Sequence, residues 1–295
     1  MKKKALFIIN PISGGKKKDD VPGQIENHLD KTLFVYDIVF TTGVAHARQV
    51  AAAAVGNYDV VVAVGGDGTV NETASGVVGS DVVLGIIPCG SGNGLSRFLG
   101  IPMNIEQSIQ TLNKLQVEAI DSAEANNHPF FNMAGMGFDA HIGQVFAGGK
   151  KRGFFSYVKS SLAEIINYKP HTYYLTIDGV DYTRKAFILS FANSSQYGNN
   201  AHISPKASVQ DGSIDVCIVK PFPLYRFPEL VLRMFTKTAD GSDFVEIIKG
   251  KDITVKRDND GPMHLDGEPA QMGAQVNIKI KPGTLRVIVG STFNS

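Results

Sequence analysis

Twice in succession this sequence runs from a short β-branched stretch into a glycine-rich loop and on into a helix-like segment. VVVAV leads into GGDGTVNE, Gly65 to Glu72, and VVLGII leads into PCGSGNGLSR, Pro88 to Arg97. A strand that turns on glycine and resumes as a helix is the unit of a parallel α/β sheet, and in such sheets the functional loops sit at the carboxyl ends of the strands. Glycine lets the backbone turn sharply and come close to a ligand, while the following helix N-terminus presents unpaired N–H groups to phosphate oxygens. One such loop could be an ordinary turn with Asp67 as helix cap. Two in succession favour a nucleotide site. Asp67 among phosphate-binding glycines would repel the phosphates unless a cation bridged them, which points to magnesium.

The rest of the first half repeats the pattern. Residues 4–9, 34–40, 59–64 and 82–87 are short β-branched or aromatic runs, separated by helix-like HARQVAAAAV, TVNETASGVV and GLSRFL. A further helix is predicted from Ile105 to Leu115, with Asn104 as its cap. After about Asn126 strand-like runs dominate: TYYLTIDG, VDYTRKAFILSFANSS, GSIDVCIVK, DITVKRDNDG, QVNIKIKPG and LRVIVG. Their D-G and P-G steps read as hairpin turns, so this half is predicted antiparallel, interrupted by helices at Phe154–Tyr168 and Leu224–Phe235. The 295 residues thus divide into an α/β domain with a parallel sheet, 1–122, and an antiparallel β domain, 123–295.

Composition narrows the function classes. With 43% hydrophobic and 19% charged residues the chain has the make-up of a globular protein, and a net charge of +1 gives no global attraction to nucleic acid. The lysine clusters at Lys2 to Lys4, Lys16 to Lys18 and Lys150 to Arg152 read as solvated loops. Two cysteines and an opening MKKKALFIIN without a cleavage-site pattern are expected of a reduced, cytoplasmic protein. No apolar run reaches the roughly 18 residues needed to span a bilayer. A lipid substrate would therefore require transient association with the membrane.

Two further motifs matter in combination. NPISGGKKK, Asn10 to Lys18, is a third glycine loop without Walker A spacing, and HLDGEP, His264 to Pro269, contains a D-G turn on which Glu268 alone would read as a solvated flank. Taken in order, the opening NP, Thr41 before the helix near His46, GGDGTVNE, the GSGN loop, QDGSID at Gln210 to Asp215 and LDGEP resemble the lipid kinases related to diacylglycerol kinase and sphingosine kinase. The resemblance covers nearly the whole chain. GGDGT is shared with NAD kinases and phosphofructokinases, whereas its combination with a distal DGE is specific.

The resemblance implies an NAD-kinase/diacylglycerol-kinase-like α/β domain followed by a β-sandwich domain, with a lipid site in the cleft between them. It implies ATP and magnesium as cofactors. Asn10, Thr41, Gly65, Gly66, Asp67, Gly68, Thr69, Val70, Asn71 and Ser91 take the positions of ATP contacts. Glu268 matches the general base, Asp67 the aspartate that organises phosphates and magnesium, and Asp121 a further acidic position near the site. Asp211, with the carbonyls of Ser208 and Ser213, matches a structural magnesium site. Ser91 and Gly94 in GSGNG depart from the GTxND of many bacterial members toward the sphingosine kinase form. The acceptor thus stays open between diacylglycerol and a sphingoid base, with an NAD-kinase-like soluble acceptor or an inactive nucleotide-binding regulator as alternatives. The partner is a lipid at a membrane surface, for which KKRGFFSY, Lys150 to Tyr157, is a candidate contact, and a homodimer stays open.

Overall fold

The computed structural model describes residues 2–12, 20–147, 164–165 and 167–293. The expected Lys150–Tyr157 contact, and all but the end of the expected Phe154–Tyr168 helix, lie outside the described residues. The chain forms two compact units, one of residues 1–122 and 282–295, the other of residues 123–281.

In the first unit β1 (Lys3–Ile9), β2 (Phe34–Phe40), β3 (Val60–Gly65) and β4 (Val83–Pro88) pair in parallel in the order β2-β1-β3-β4. Every residue of β3 is buried, because crossover helices cover both faces of a parallel sheet and its strands become continuous apolar runs. The helices are α1 (Val21–His28), α2 (His46–Ala54), α3 (Asp67–Val77), α4 (Gly94–Phe98) and α5 (Ile105–Lys114). Phe7, Ile9, Val62, Val64, Ile109 and Leu112 are among the side chains that form one core of this unit. α2 and α3 pack closely because Gly76 faces alanine: a Cβ there would stand 2.6 Å from the Ala51 side chain and 2.7 Å from the Arg48 carbonyl. The Asn104 side chain accepts from the Gln107 N–H at 3.1 Å, so α5 is capped as expected.

The second unit is an antiparallel β-sandwich. One sheet has the order β14-β13-β10-β7-β16-β17 and contains β7 (Met133–Gly137), β10 (Ile188–Ala192), β13 (Ile214–Val219), β14 (Val245–Gly250), β16 (Gly261–Leu265) and β17 (Glu268–Met272). The other runs β18-β15-β8-β9, from β8 (His171–Ile177), β9 (Val180–Ala186), β15 (Asp252–Lys256) and the first part of β18 (Gln275–Ile288). Tyr173, Leu175, Phe191, Val216, Ile253 and Val276 contribute to the core between the sheets. β5 (Val117–Ala125), which begins in the first unit, forms a small hairpin with β6 (His128–Phe130), β11 (Gln196–Gly198) pairs with β12 (Ala201–His202), and α6 (Phe138–Ala147) and α7 (Phe227–Phe235) complete the second unit.

Three expectations are corrected. The final residues do not stay with the β domain: Arg286 and Val287 pair in parallel with Val83 and Leu84 of β4, which returns 282–295 to the first unit. Pro282-Gly283 is not a hairpin turn, since β18 continues through it and the Gly283 N–H is taken by the Asp121 carboxylate at 2.8 Å. The run VDYTRKAFILSFANSS is two strands in different sheets, broken at Phe187, whose N–H donates to the Val219 carbonyl at 2.7 Å.

Candidate active site

The register of the parallel sheet gathers the predicted loops. Ile9 lies level with Phe40 and with Val64, and Gly65 with Pro88, so Asn10, Thr41, Gly66 and Cys89 leave the sheet along one edge. Backbone bonds tie them together: Asn10 N–H to the Val64 carbonyl at 3.0 Å, Thr41 N–H to that of Ile9 at 2.9 Å, and Cys89 N–H to that of Gly65 at 2.7 Å. The Asn10 amide also donates to the Thr69 hydroxyl at 3.0 Å.

Asp67 joins the two glycine loops. Its carboxylate accepts the Asn93 N–H at 2.8 Å through one oxygen and the Gly94 N–H at 2.9 Å through the other, so it seats on the N-terminus of α4. The loops touch through their glycines: a Cβ on Gly90 would lie 2.6 Å from the Gly66 Cα, and one on Gly92 3.0 Å from an Asp67 oxygen. Asn93, in the left-handed region at φ 54°, closes the second loop on itself, accepting from Gly90 N–H at 3.0 Å and donating to the Gly90 carbonyl at 2.8 Å. α3 begins at Asp67, so Gly68 and Thr69 fall in the first turn, where helical N–H groups have no partner inside the helix. Val70 points the other way. Its side chain is buried and its N–H bonds the Gly66 carbonyl at 3.0 Å, so it holds the turn instead of facing a ligand. Ser91 is exposed.

Glu72, read from sequence only as the end of the motif, has a definite task. α2 has at its N-cap Ala45, which offers no capping side chain and has a φ of 63°, and Glu72 accepts the Ala45 N–H at 2.8 Å and the Ala47 N–H at 3.1 Å. This fixes the loop that carries Thr41 against the helix that carries Asp67. A glutamate five residues after an aspartate gave no signal of this, because its partners lie 25 and 27 positions away.

Asp121 does not join this cluster. It is buried on β5, level with Gly283 and Thr284, and the Thr284 carbonyl accepts from Gly79 N–H just ahead of β4. The glycine loop leaves the far end of β4, roughly 17 Å along at about 3.3 Å per residue. Within this unit Asp121 anchors the returning strand at the opposite edge of the sheet.

In the second unit Glu268 opens β17 and is exposed. It follows a two-residue turn in which Asp266 and Gly267 have φ 49° and 86°, the geometry of a D-G hairpin, with Leu265 opposite Glu268. Asp266 is buried and accepts three backbone N–H groups, from Phe131 at 2.9 Å, Asn132 at 2.8 Å and Met133 at 2.9 Å. The aspartate of DGE therefore positions the turn that presents the glutamate. Beside it, His264 Nε2 lies 3.1 Å from the Asp139 carboxylate, which also accepts from the Tyr197 hydroxyl at 3.1 Å. Burial, with Asp139 adjacent, pushes the Tyr197 hydroxyl well above its usual pKa and keeps it a donor. Gly135 makes room for this group: a Cβ would stand 2.4 Å from the Asp139 oxygen and 2.5 Å from His264 Nε2.

α7 covers a small apolar void of about 40 Å³ whose walls include Phe187, Val219, Phe222, Leu230, Val231 and Met234.

The expected metal positions differ in their fit. Asp67 offers a single carboxylate held rigidly beside helix N-termini, which suits a magnesium ion brought in on nucleotide phosphates, since Mg²⁺ takes one or two protein carboxylates plus phosphate oxygens. Asp211 is engaged otherwise. One oxygen accepts the Ser213 N–H at 3.0 Å and hydroxyl at 2.7 Å, and the other lies 2.5 Å from Lys249 Nζ, which is also 3.5 Å from Asp215. Burial works to raise the Asp211 pKa, but Lys249 and Ser213 outweigh it and hold the carboxyl below its usual range. A divalent ion at this turn would have to displace the lysine. Asp211, Ser208 and Ser213 therefore do not fit a structural magnesium as arranged.

Residues 4–125 match the family of the diacylglycerol kinase catalytic domain, and residues 132–289 that of the YegS C-terminal NAD kinase beta sandwich-like domain. A protein of Yersinia enterocolitica named "probable lipid kinase YegS-like" is 27% identical over 288 residues, covering 95% of either chain. Two solved structures share the fold. One, of a diacylglycerol kinase from Bacillus anthracis, superposes with a TM-score of 0.75 at 21% identity over 99% of this chain and 98% of that one. The other, an NAD kinase from Archaeoglobus fulgidus in complex with ATP, gives 0.55 at 14% identity over 98% and 95%.

Proposed function

Since this chain belongs to the family with a diacylglycerol kinase catalytic domain and a YegS C-terminal domain, we propose that it transfers the γ-phosphoryl group of ATP to the hydroxyl of a membrane lipid, diacylglycerol being the first candidate. The observation that supports the acceptor's class is the pairing of a diacylglycerol kinase catalytic domain over residues 4–125 with a YegS-type C-terminal domain over residues 132–289.

On the nucleotide side, phosphoryl transfer asks the protein mainly to position reactants and neutralise charge. The first-turn amides of α3 and the Asn10, Thr41 and Ser91 loops are the groups that would receive the triphosphate. Asp67, pinned between two loops by the Asn93 and Gly94 amides, would hold Mg²⁺, which when bound offsets charge on the phosphates. Glu268 would take the proton from the acceptor hydroxyl, from the exposed end of the β16–β17 turn that Asp266 holds.

The test is transfer from γ-labelled ATP to micellar diacylglycerol, a sphingoid base and NAD in parallel. Label in a lipid product supports the proposal and names the acceptor class; label in NAD alone overturns it.

A further inference from the structure

α2 and α3 lie side by side through small residues. Ala47 and Ala51 of α2 are buried, and Gly76 of α3 comes so near that a Cβ there would stand 2.6 Å from the Ala51 side chain. Glu72 precedes Gly76 by one helical turn on the same face of α3, and this close approach is what lets a glutamate reach the N-terminus of α2. One carboxylate oxygen takes the Ala45 N–H and the other the Ala47 N–H.

The stretch that these bonds hold is exposed. From Thr42 to Ala45 the chain stands in solvent between the end of β2 and the start of α2, with Val44 95% exposed. It is tied down at its two ends, where His46 Nδ1 accepts the Thr42 N–H at 3.0 Å and Glu72 accepts that of Ala45. Ala45 is in the left-handed region, which an alanine adopts only where its surroundings impose it. With a carboxylate seated on its first amides, α2 does not offer its N-terminus to a phosphate. What this stretch can give a nucleotide is therefore Thr41, bonded at the sheet edge to the Ile9 carbonyl.

We propose that Glu72 is a positioning residue for the nucleotide, an inference that rests on the ATP side of the kinase reading. Glu72 belongs to the helix that carries Asp67, Gly68 and Thr69, and its grip on Ala45 and Ala47 joins the loop after Thr41 to that helix as one piece. Thr41 and the first turn of α3 then stand in a fixed arrangement before ATP arrives, so binding does not have to order the loop. The task calls for a carboxylate. Both partners are N–H donors, and a glutamine has one oxygen to accept with and an NH2 that would face the second donor.

The experiment titrates the full chain with MgATP and compares wild type with Glu72→Gln, Glu72→Ala, Thr41→Val and the double variants, each below its own melting temperature. Glu72→Ala is expected to raise the Kd for ATP about tenfold and Glu72→Gln by less. If Glu72 acts through Thr41, the two changes are coupled: in the Thr41→Val background, Glu72→Ala should weaken ATP by much less than it does alone. Where lipid transfer is measured, KM for ATP should rise while kcat at saturating ATP stays within about twofold of wild type. Should Glu72→Ala fail to fold, the Gln variant carries the same cycle. A Glu72 variant that melts early yet binds ATP as wild type does would make the residue a helix cap and nothing more, and overturn the proposal. So would effects that simply multiply in the double variant, or a Thr41→Val protein with unchanged ATP affinity. A wild type that shows the coupling but labels no lipid upholds Glu72 and refutes the lipid-kinase reading, whereas a wild type that binds no ATP refutes both.

Discussion

Two carboxylates of this chain differ in what they do for the molecule, and their substitution should separate those roles. Glu268 is exposed at the end of a turn held by other residues. Glu268→Gln is expected to leave ATP affinity near wild type and to lower kcat for the lipid by about a hundred- to ten-thousandfold. ATP titration of both proteins checks this; parallel loss of ATP binding would move Glu268 to the nucleotide. Asp67 is bonded to two backbone amides of the second loop, so Asp67→Ala removes more than a charge. Turnover should fall about a hundredfold or more. Thermal stability should fall with it, by about 1–3 kcal/mol, because the Asn93 and Gly94 amides lose their acceptor. A variant that is inactive but melts with wild type would mean the loops hold together without it.

At the scale of the element, the β16–β17 hairpin is rigid because Asp266 reaches back to the segment before β7 and satisfies three buried amides at once. Asp266→Ala should cost about 3 kcal/mol or more in urea-induced unfolding. A shift under about 1 kcal/mol would show that water replaces the carboxylate at those amides. The hairpin was readable in advance, since D-G between apolar stretches is a local preference of the backbone. Which of its two acids faces solvent was not, because that depends on amides of residues 131–133, more than a hundred positions earlier. The same holds for Glu72, whose cap on α2 exists only once α2 and α3 are packed.

For the molecule as a whole, the return of residues 282–295 means that the first unit is not encoded by the first 122 residues alone. The returning segment is packed tightly: Gly290 N–H bonds the Leu99 carbonyl at 2.9 Å, and a Cβ on Gly290 would overlap the Gly100 carbonyl. A fragment ending at Ser122 should therefore lack a cooperative melt, and joining 282–295 to it through a short linker should restore one; a sharp melt of 1–122 alone would refute this. The Asp211–Lys249 pair gives a second test. Chelator should leave the melting temperature unchanged, while Lys249→Met should lower stability by about 1 kcal/mol, a modest figure because the pair is partly exposed. Asp211 has its folded pKa lowered, so its share of stability is present above its unfolded value near 3.9 and lost as pH falls through the folded one. Lys249 has its folded pKa raised, so its share is full below its unfolded value near 10.4 and lost as pH rises through the folded one. The cost of Lys249→Met should thus be greatest near neutrality and fade below about pH 4. A melting temperature that drops on chelation would return a metal to this turn.

The sequence by itself determined the parallel arrangement of β1 to β4, the placement of glycine loops at strand ends, the cap of α5 and the D-G hairpin. These follow from preferences that act within a few residues: β-branched runs, glycine φ freedom, side chains that bond neighbouring amides. Family resemblance carried the residues of the loops to one edge, and strand register put Asn10, Thr41, Gly66 and Cys89 there. Only the tertiary structure decided that Val70 faces the core, that Asp121 braces the far edge, that Lys249 neutralises Asp211, and that the last strand crosses back. Each of those depends on a partner distant in sequence, or on which face of an element a neighbour covers, and a local pattern holds no record of either.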